Sequence, residues 1–83
     1  MRNIVDDSTK EFFEEQGYQN VTQLPDGTWA GTVELMFTRA ICTGLNYHGY
    51  EYRWCFEDKS RALTELAKLK SVDDEPIGWV ARR

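Results

Sequence analysis

The sequence predicts one α+β domain over residues 1–83, an antiparallel three- to four-stranded meander with one main helix packed on one face and a short N-terminal helix. Residues 50–57 carry an aromatic side chain at every second position, which is typical of a strand with one apolar face. Residues 59–70 carry apolar side chains at three- and four-residue spacing, which indicates an amphipathic helix. Turn-forming residues at 25–27 and 46–49 separate the strands.

The N-terminal helix is predicted over residues 9–16. Ser8 followed by Glu11 forms a capping box, and Gly17 is a natural residue just beyond the last helical turn. A helix of two turns is marginal alone, so its two phenylalanines have to dock it on the sheet. With both helices on one face, the domain would have two layers.

Four strands are expected between the helices, joined by short turns. Their predicted ranges are 18–24, 29–37, 40–45 and 50–57. In the second strand, the apolar side chains alternate up to Phe37, so that residue is expected in the half-buried row. A four-residue hairpin loop at 46–49 would place Cys42 opposite Arg53.

The main helix follows Asp58, which is a suitable N-cap residue. Its apolar stripe would meet the aromatic row of the preceding strand. We therefore predict that Trp54 and Phe56 are buried against Leu63 and Leu66.

Composition limits the functions that remain open. Hydrophobic residues make up 41% of the chain, with three Trp, four Tyr and four Phe, so a core can form at this length. The net charge of −4 lacks the basic field typical of nucleic-acid binding. The first seven residues lack the apolar region of a secretory signal, and no run of about 18 apolar residues predicts a membrane span. We expect a cytoplasmic protein without a membrane partner.

No chemistry-bearing motif is found. Cys42 and Cys55 are expected to be buried reduced thiols, and the alternative of a disulfide or redox pair would require a suitable diagonal spacing. His48 is the only histidine and fits no zinc spacing. The acidic residues at 73–75 lack calcium-loop spacing. We therefore predict no metal, no cofactor and no enzymatic activity.

Surplus aromatic residues beside arginine are typical of protein interfaces. The aromatic row and the C-terminal tryptophan exceed what one short helix covers, and the tyrosines are the ones best suited to a surface. We predict a binding surface that includes Tyr47, Tyr50, Trp79 and Arg82.

Several segments resemble a group of small uncharacterised bacteriophage and prophage proteins. The most specific is Gly-Tyr-x-x-Arg-Trp-Cys-Phe from Gly49, accompanied by Pro-Asp-Gly-Thr-Trp from Pro25 and Gly-Trp-Val from Gly78. The similarity spans residues 18–83, although relatives carry a residue between the glycine and the tryptophan that adjoin here at Trp79. It implies origin and fold, and no established activity.

The resemblance and the absence of chemistry together indicate a phage accessory protein acting in the host cytoplasm. Its expected partner is a host or phage protein, and it could inhibit a host enzyme or defence system. The alternative is a nucleic-acid-associated module that uses sheet aromatics and arginines such as Arg53.

Overall fold

The computed structural model describes residues 7–82, and for residues 7, 81 and 82 it describes the backbone alone. This part of the chain forms two helices and five strands, with four of the strands between the helices. They are α1 (Asp7–Glu15), β1 (Gln19–Gln23), β2 (Trp29–Glu34), β3 (Arg39–Thr43), β4 (Tyr52–Phe56), α2 (Lys59–Lys68) and β5 (Ala81–Arg82).

The five strands form one antiparallel sheet in the order β1-β2-β3-β4-β5. The predicted meander is confirmed as β1 to β4, and the two residues of β5 extend it beside β4. Cys42 lies opposite Arg53, and Asn46 bridges to Gly49, so the predicted hairpin register is also confirmed.

The helices lie on opposite faces of the sheet, so the two-layer prediction is wrong. Neighbouring residues of β3 point to opposite faces. Ile41 belongs to the cluster that includes residues of α2, whereas Cys42 belongs to the cluster that includes Phe13 of α1. We call these sides the α2 face and the α1 face. The consecutive buried residues 40–45 are what a strand covered on both faces produces.

The α2 face carries the larger core. Its buried members are Leu24, Ala30, Ile41, Trp54, Phe56, Ala62, Leu66 and Leu69. Trp54 and Phe56 are buried together with Leu66, which confirms their placement. Leu63 is 39% exposed, so its predicted core contact is wrong. The buried positions of α2 lie on one side of the helix, at Ala62, Glu65 and Leu66. Leu63 is rotated by about 100° from Ala62 around the helix axis, which turns it away from the core.

The α1 face carries a smaller core with an aromatic fringe. Its buried members are Phe13, Val21, Cys42 and Leu45, and its partly buried neighbours are Phe12, Tyr18, Trp29 and Val33. The Phe13 ring centroid lies 6.0 Å from that of Trp29 and 6.3 Å from that of Tyr18. The predicted docking of α1 through its phenylalanines is confirmed.

The helices run over Asp7–Glu15 and Lys59–Lys68, against predicted ranges of 9–16 and 59–70, and two of the three predicted end residues are confirmed. Asp58 caps α2, because its Oδ1 accepts from Ser60 N at 2.9 Å, as predicted. Gly17 ends α1 at φ 104°, also as predicted. Ser8 already lies inside α1, so the predicted capping box is wrong, since an N-cap residue is not itself helical. Neither helix described between residues 7 and 82 is long and apolar enough to span a bilayer.

Candidate functional site

Two predicted binding residues, Tyr47 and Tyr50, lie in the connection between β3 and β4. We call Phe12, Tyr18, Tyr47, Tyr50 and Arg53 the hairpin patch. The Tyr47 ring packs edge-on against Phe12 at 4.8 Å between centroids, yet Tyr47 remains 76% exposed. Arg53 Cζ lies 5.7 Å from the centroid of the Tyr50 ring, which is a cation–π arrangement. The patch therefore presents aromatic and cationic groups side by side.

The hairpin turn holds Tyr47 in this position through local hydrogen bonds. Asn46 Oδ1 accepts from His48 N at 2.7 Å, and Asn46 Nδ2 donates to Gly44 O at 3.2 Å. Gly49 has a φ of 136°, which closes the loop back toward β4. The side chain of Asn46 therefore binds the backbone before and after it, at Gly44 and His48, so that Tyr47 lies in an ordered turn.

Tyr50 leaves the predicted aromatic row. Tyr52 and Trp54 remain in that row on the α2 face, with ring centroids 6.2 Å apart. Regular pairing of β4 begins only at Tyr52, and Glu51 N donates to Thr43 O in the irregular step before it. The Tyr50 ring lies instead against Arg53, which shares the α1 face with Cys42.

Burial controls protonation around the hairpin patch. Desolvation raises the pKa of the Cys42 thiol to about 12, although Arg53 opposes that shift. Burial also raises the pKa of the Tyr18 phenol, and Cys42 and Tyr50 add to the effect. At neutral pH the thiol is protonated and unsuited to nucleophilic attack, and the phenol is a neutral hydrogen-bonding group.

Trp79 lies away from the hairpin patch. Its ring centroid is 5.2 Å from that of Trp54, and it packs half-buried against the α2-face cluster. Its Nε1 donates to Glu75 Oε2 at 2.9 Å. The backbone of Arg82 in β5 pairs with that of Trp54 in β4, and the side chain of Arg82 lies outside the described part of the structure. The structure therefore places Tyr47 and Tyr50 in the same β3–β4 connection and Trp79 on the opposite face.

Sequence reasoning missed an apolar pair at the opposite end of the sheet. β2 ends at Glu34, and Leu35 N donates to Thr38 O at 2.8 Å to close a tight turn. Met36 and Phe37 occupy its centre and are 86% and 82% exposed. We call these two residues the tip pair. The prediction that Phe37 belongs to a half-buried strand is wrong.

The charged residues at the base of this turn could have indicated from the sequence that a hairpin lies here. Glu34 and Arg39 are cross-strand neighbours in an ion pair at 3.4 Å, and Lys59 from the start of α2 also pairs with Glu34. Lys59, through a hydrogen bond and its charge, lowers the pKa of Glu34. A charged pair flanking Met36 and Phe37 indicates a hairpin whose apolar centre lies outside the core.

A buried carboxylate was also missed. Glu65 is only 3% exposed, and its oxygens accept from Ile77 N at 3.2 Å, Arg61 Nε at 3.2 Å and Lys68 Nζ at 3.1 Å. The backbone hydrogen bond from Ile77 and the bond from Lys68 are the chief reasons that its pKa is lowered. Glu65 fastens the C-terminal segment that carries Trp79 onto α2.

The other residues that were considered as metal ligands are not brought together. His48 is exposed in the hairpin turn. Asp74 Oδ2 accepts from the backbone N–H groups of Lys70 and Ser71 at 2.7 and 3.2 Å. Within residues 7–82, no three His, Cys, Asp or Glu side chains are grouped so as to hold a metal ion. Cys42 and Cys55 are buried and unbonded.

Comparisons with known proteins found no relative of this chain. No family model matches the sequence, and neither the curated proteins nor the solved structures include a significant match.

Proposed function

We propose that this chain is a non-catalytic protein-binding module that uses the tip pair as an anchor. The exposure of Met36 and Phe37 is the observation that carries the proposal. Large apolar side chains on a tight turn contribute little to the core, and full burial of one such side chain is worth roughly 1.5–3 kcal/mol. A partner with an apolar pocket would obtain that free energy on binding. Methionine also adapts its shape to irregular pockets.

The hairpin patch supports the same function at the other end of the sheet. Tyrosine and arginine are enriched among residues that dominate binding energy. Tyr47 is held against Phe12 before any partner arrives, so little side-chain entropy is lost on binding. Trp79 remains a proposed contributor on the α2 face, and Arg82 remains a proposed contributor from the sequence.

The resemblance carried by the segment from Gly49 to Phe56 supports a phage accessory role. In this proposal the partner is a host or phage protein met in the host cytoplasm. A small domain that inserts apolar side chains into a pocket blocks a host enzyme or defence protein without catalysing a reaction.

A nucleic-acid-associated module is the second candidate, favoured by the Arg53–Tyr50 arrangement. Half-exposed aromatic rings stack on bases, and arginine neutralises phosphate. The net charge of −4 opposes it. Fluorescence anisotropy with labelled single- and double-stranded oligonucleotides at about 150 mM salt separates the two functions, because phosphate-driven binding weakens steeply with salt.

Quantitative affinity capture from bacterial lysate tests the protein-binding proposal. The tagged chain is compared with the double variant Met36→Ser, Phe37→Ser and with Ile77→Ser. Ile77 is 69% exposed on the C-terminal segment, so it controls for loss of an exposed apolar side chain elsewhere. We expect a protein that the parent chain and Ile77→Ser retain and the tip-pair variant loses. Equal retention by all three folded proteins, or no enriched protein, would contradict the role of the tip pair.

A further inference from the structure

Within residues 7–82, the outer side of β1 is an open sheet edge. In the described part of the chain, β1 stands at the end of the strand order and has β2 as its only strand neighbour. Leu24 N donates to Thr28 O at 2.7 Å, and Thr22 lies opposite Ala30 in the same register. Hydrogen-bonded and non-hydrogen-bonded residue pairs alternate along an antiparallel ladder, so Gln23, between the bonded positions Thr22 and Leu24, does not bond to β2. The N–H and C=O groups of Gln23, an exposed residue, therefore face away from β2, toward the open side, whereas Val21 is only 5% exposed.

The accessible edge is short and limited at both ends. A β-bulge shifts the register between Gln19 and Thr22, and Asn20 has a φ of 54°. Asn20 Oδ1 accepts from Thr32 Oγ1 at 2.9 Å, which fixes the bulge. Pro25 ends the segment on the other side. Such bulges protect edges against unlimited strand addition, so the straight part suits a segment of only a few residues.

A groove flanks this edge on each face of the sheet. The groove on the α2 face has a volume of about 490 Å³, and its lining includes Leu24, Pro25, Leu66 and Leu69. The groove on the α1 face has a volume of about 230 Å³, and its lining includes Val21 and Trp29. Side chains of an added strand point alternately to the two faces. Each groove would therefore receive every second side chain of such a strand.

Lysines are concentrated beside the same edge. Of the four lysines in the sequence, Lys68 and Lys70 line the larger groove and Lys10 lines the smaller one, whereas no carboxylate lines either. Lys68 is paired with Glu65, but Lys10 and Lys70 form no ion pair within residues 7–82. Two of the carboxylates on the neighbouring loops accept hydrogen bonds from backbone N–H groups, Asp26 from that of Val72 and Asp74 from that of Lys70.

From this combination we propose that the β1 edge binds an extended, acidic peptide segment of a partner protein by strand addition. The N–H and C=O groups of Gln23 would hydrogen-bond the segment, and its carboxylates would meet Lys10 and Lys70. This site goes beyond the function proposed above, since the tip pair lies at the other end of β2. A partner could use one surface without the other.

Peptide selection tests the proposal directly. A phage-displayed library of random dodecapeptides is selected on the parent chain, and recovered peptides are synthesised for affinity measurement. Gln23→Pro removes an N–H that faces the open edge, and proline is tolerated there because β2 does not use that group. Gln23→Thr, which also loses the bond from Gln23 Nε2 to Gly27 O, keeps the backbone N–H and serves as the matched control.

We expect recovered peptides to combine Asp or Glu with β-branched residues and to bind Gln23→Pro about tenfold or more weakly than Gln23→Thr. Because a proline variant can fail to fold, the double variant Lys10→Gln, Lys70→Gln provides a second measurement. It should weaken binding several-fold and flatten its salt dependence, whereas Lys59→Gln at the far end of α2 should not.

Three outcomes would overturn the proposal. The first is recovery of no peptide, or only of basic or uncharged peptides. The second is equal affinity of the recovered acidic peptides for the parent and for folded Gln23→Pro or the double lysine variant. The third is a concentration-dependent dimer of the parent chain that Gln23→Pro dissociates in sedimentation, since the edge would then bind a second copy. None of these results bears on Met36 and Phe37, so failure here is distinguishable from failure of the tip-pair proposal.

Discussion

The two faces of the sheet differ in how much apolar surface they bury. The α2 face buries eight residues in one cluster and leaves Tyr52 and Trp79 partly covered, whereas the α1 face buries four and leaves four half-buried. Capped α2 closes the first face, while α1 covers the second with a fringe of aromatic rings. Stability is therefore concentrated on the α2 face, and the α1 face exposes side chains such as Tyr47 with less consequence for folding.

Truncating one phenylalanine on each face is the strongest test of this contrast. Phe56 is 1% exposed in the middle of the larger cluster, so Phe56→Ala should lower the free energy of unfolding by about 3–5 kcal/mol, which is near the whole stability of a small domain. Phe13→Ala should have a smaller effect, because its half-buried neighbours can relax into the space. Urea unfolding of both variants measures the two values. An equal or larger loss for Phe13→Ala would remove the contrast between the faces.

Gly44 lies where the β3–β4 hairpin contacts the loop after α2, and a substitution there tests that contact. A Cβ on Gly44 would lie 2.8 Å from Glu51 Cβ and 3.1 Å from Val72 Cγ2, and φ is 69°. Gly44→Ala should destabilise the protein by about 1–3 kcal/mol through backbone strain and steric overlap. Gly27→Ala is the matched control, because φ is 91° there but no atom lies within 4 Å. Thermal unfolding should show the larger loss for Gly44→Ala, and the reverse order would contradict the tight contact.

Both cysteines report on how completely the α1 face is closed. Cys42 and Cys55 are buried and unbonded, and burial raises the pKa of Cys42 to about 12. We expect negligible alkylation of the native protein at neutral pH and two adducts after denaturation without reductant. Intact-mass spectrometry distinguishes these states. No adduct after denaturation would mean a disulfide, and rapid native alkylation would mean that α1 opens readily.

The sequence predicted most of the α2 face and less of the rest, for physical reasons. Alternation in β4 and the stripe of α2 are periodic signals, so Trp54, Phe56 and Leu66 were placed correctly. The tip pair was missed because alternation continues formally through Leu35 and Phe37, and only the hydrogen bonding of the turn ends the strand.

The sidedness of α1 and the path of the C-terminal segment depend on tertiary contacts rather than local pattern. A two-turn helix carries no signal for the face on which it docks. The β1 edge is visible only once the strand order is known, because a mostly polar strand sequence does not show whether the strand lies at the edge or in the middle of a sheet. Glu65 was missed because a charged residue within an apolar helix face is expected to lie in solvent.

Acid dependence of stability provides the finest comparison, through Glu65 on the α2 face. Its pKa is lowered in the folded state, so its contribution is complete above the pKa of the unfolded chain, ordinarily about 4.3, and is lost as pH falls through the lower folded value. Glu65→Gln removes the charge that Arg61 and Lys68 stabilise. The melting temperature of the parent should therefore fall more between pH 7 and pH 3 than that of the variant.

Glu57→Gln is the control for this measurement, because Glu57 is exposed and forms no ion pair within residues 7–82. It changes the net charge equally while leaving the contacts around Glu65 in place. Its melting temperature should follow that of the parent across the pH range. Parallel curves for the parent and Glu65→Gln would mean that the C-terminal segment is held by the Trp79–Trp54 contact rather than by the buried carboxylate.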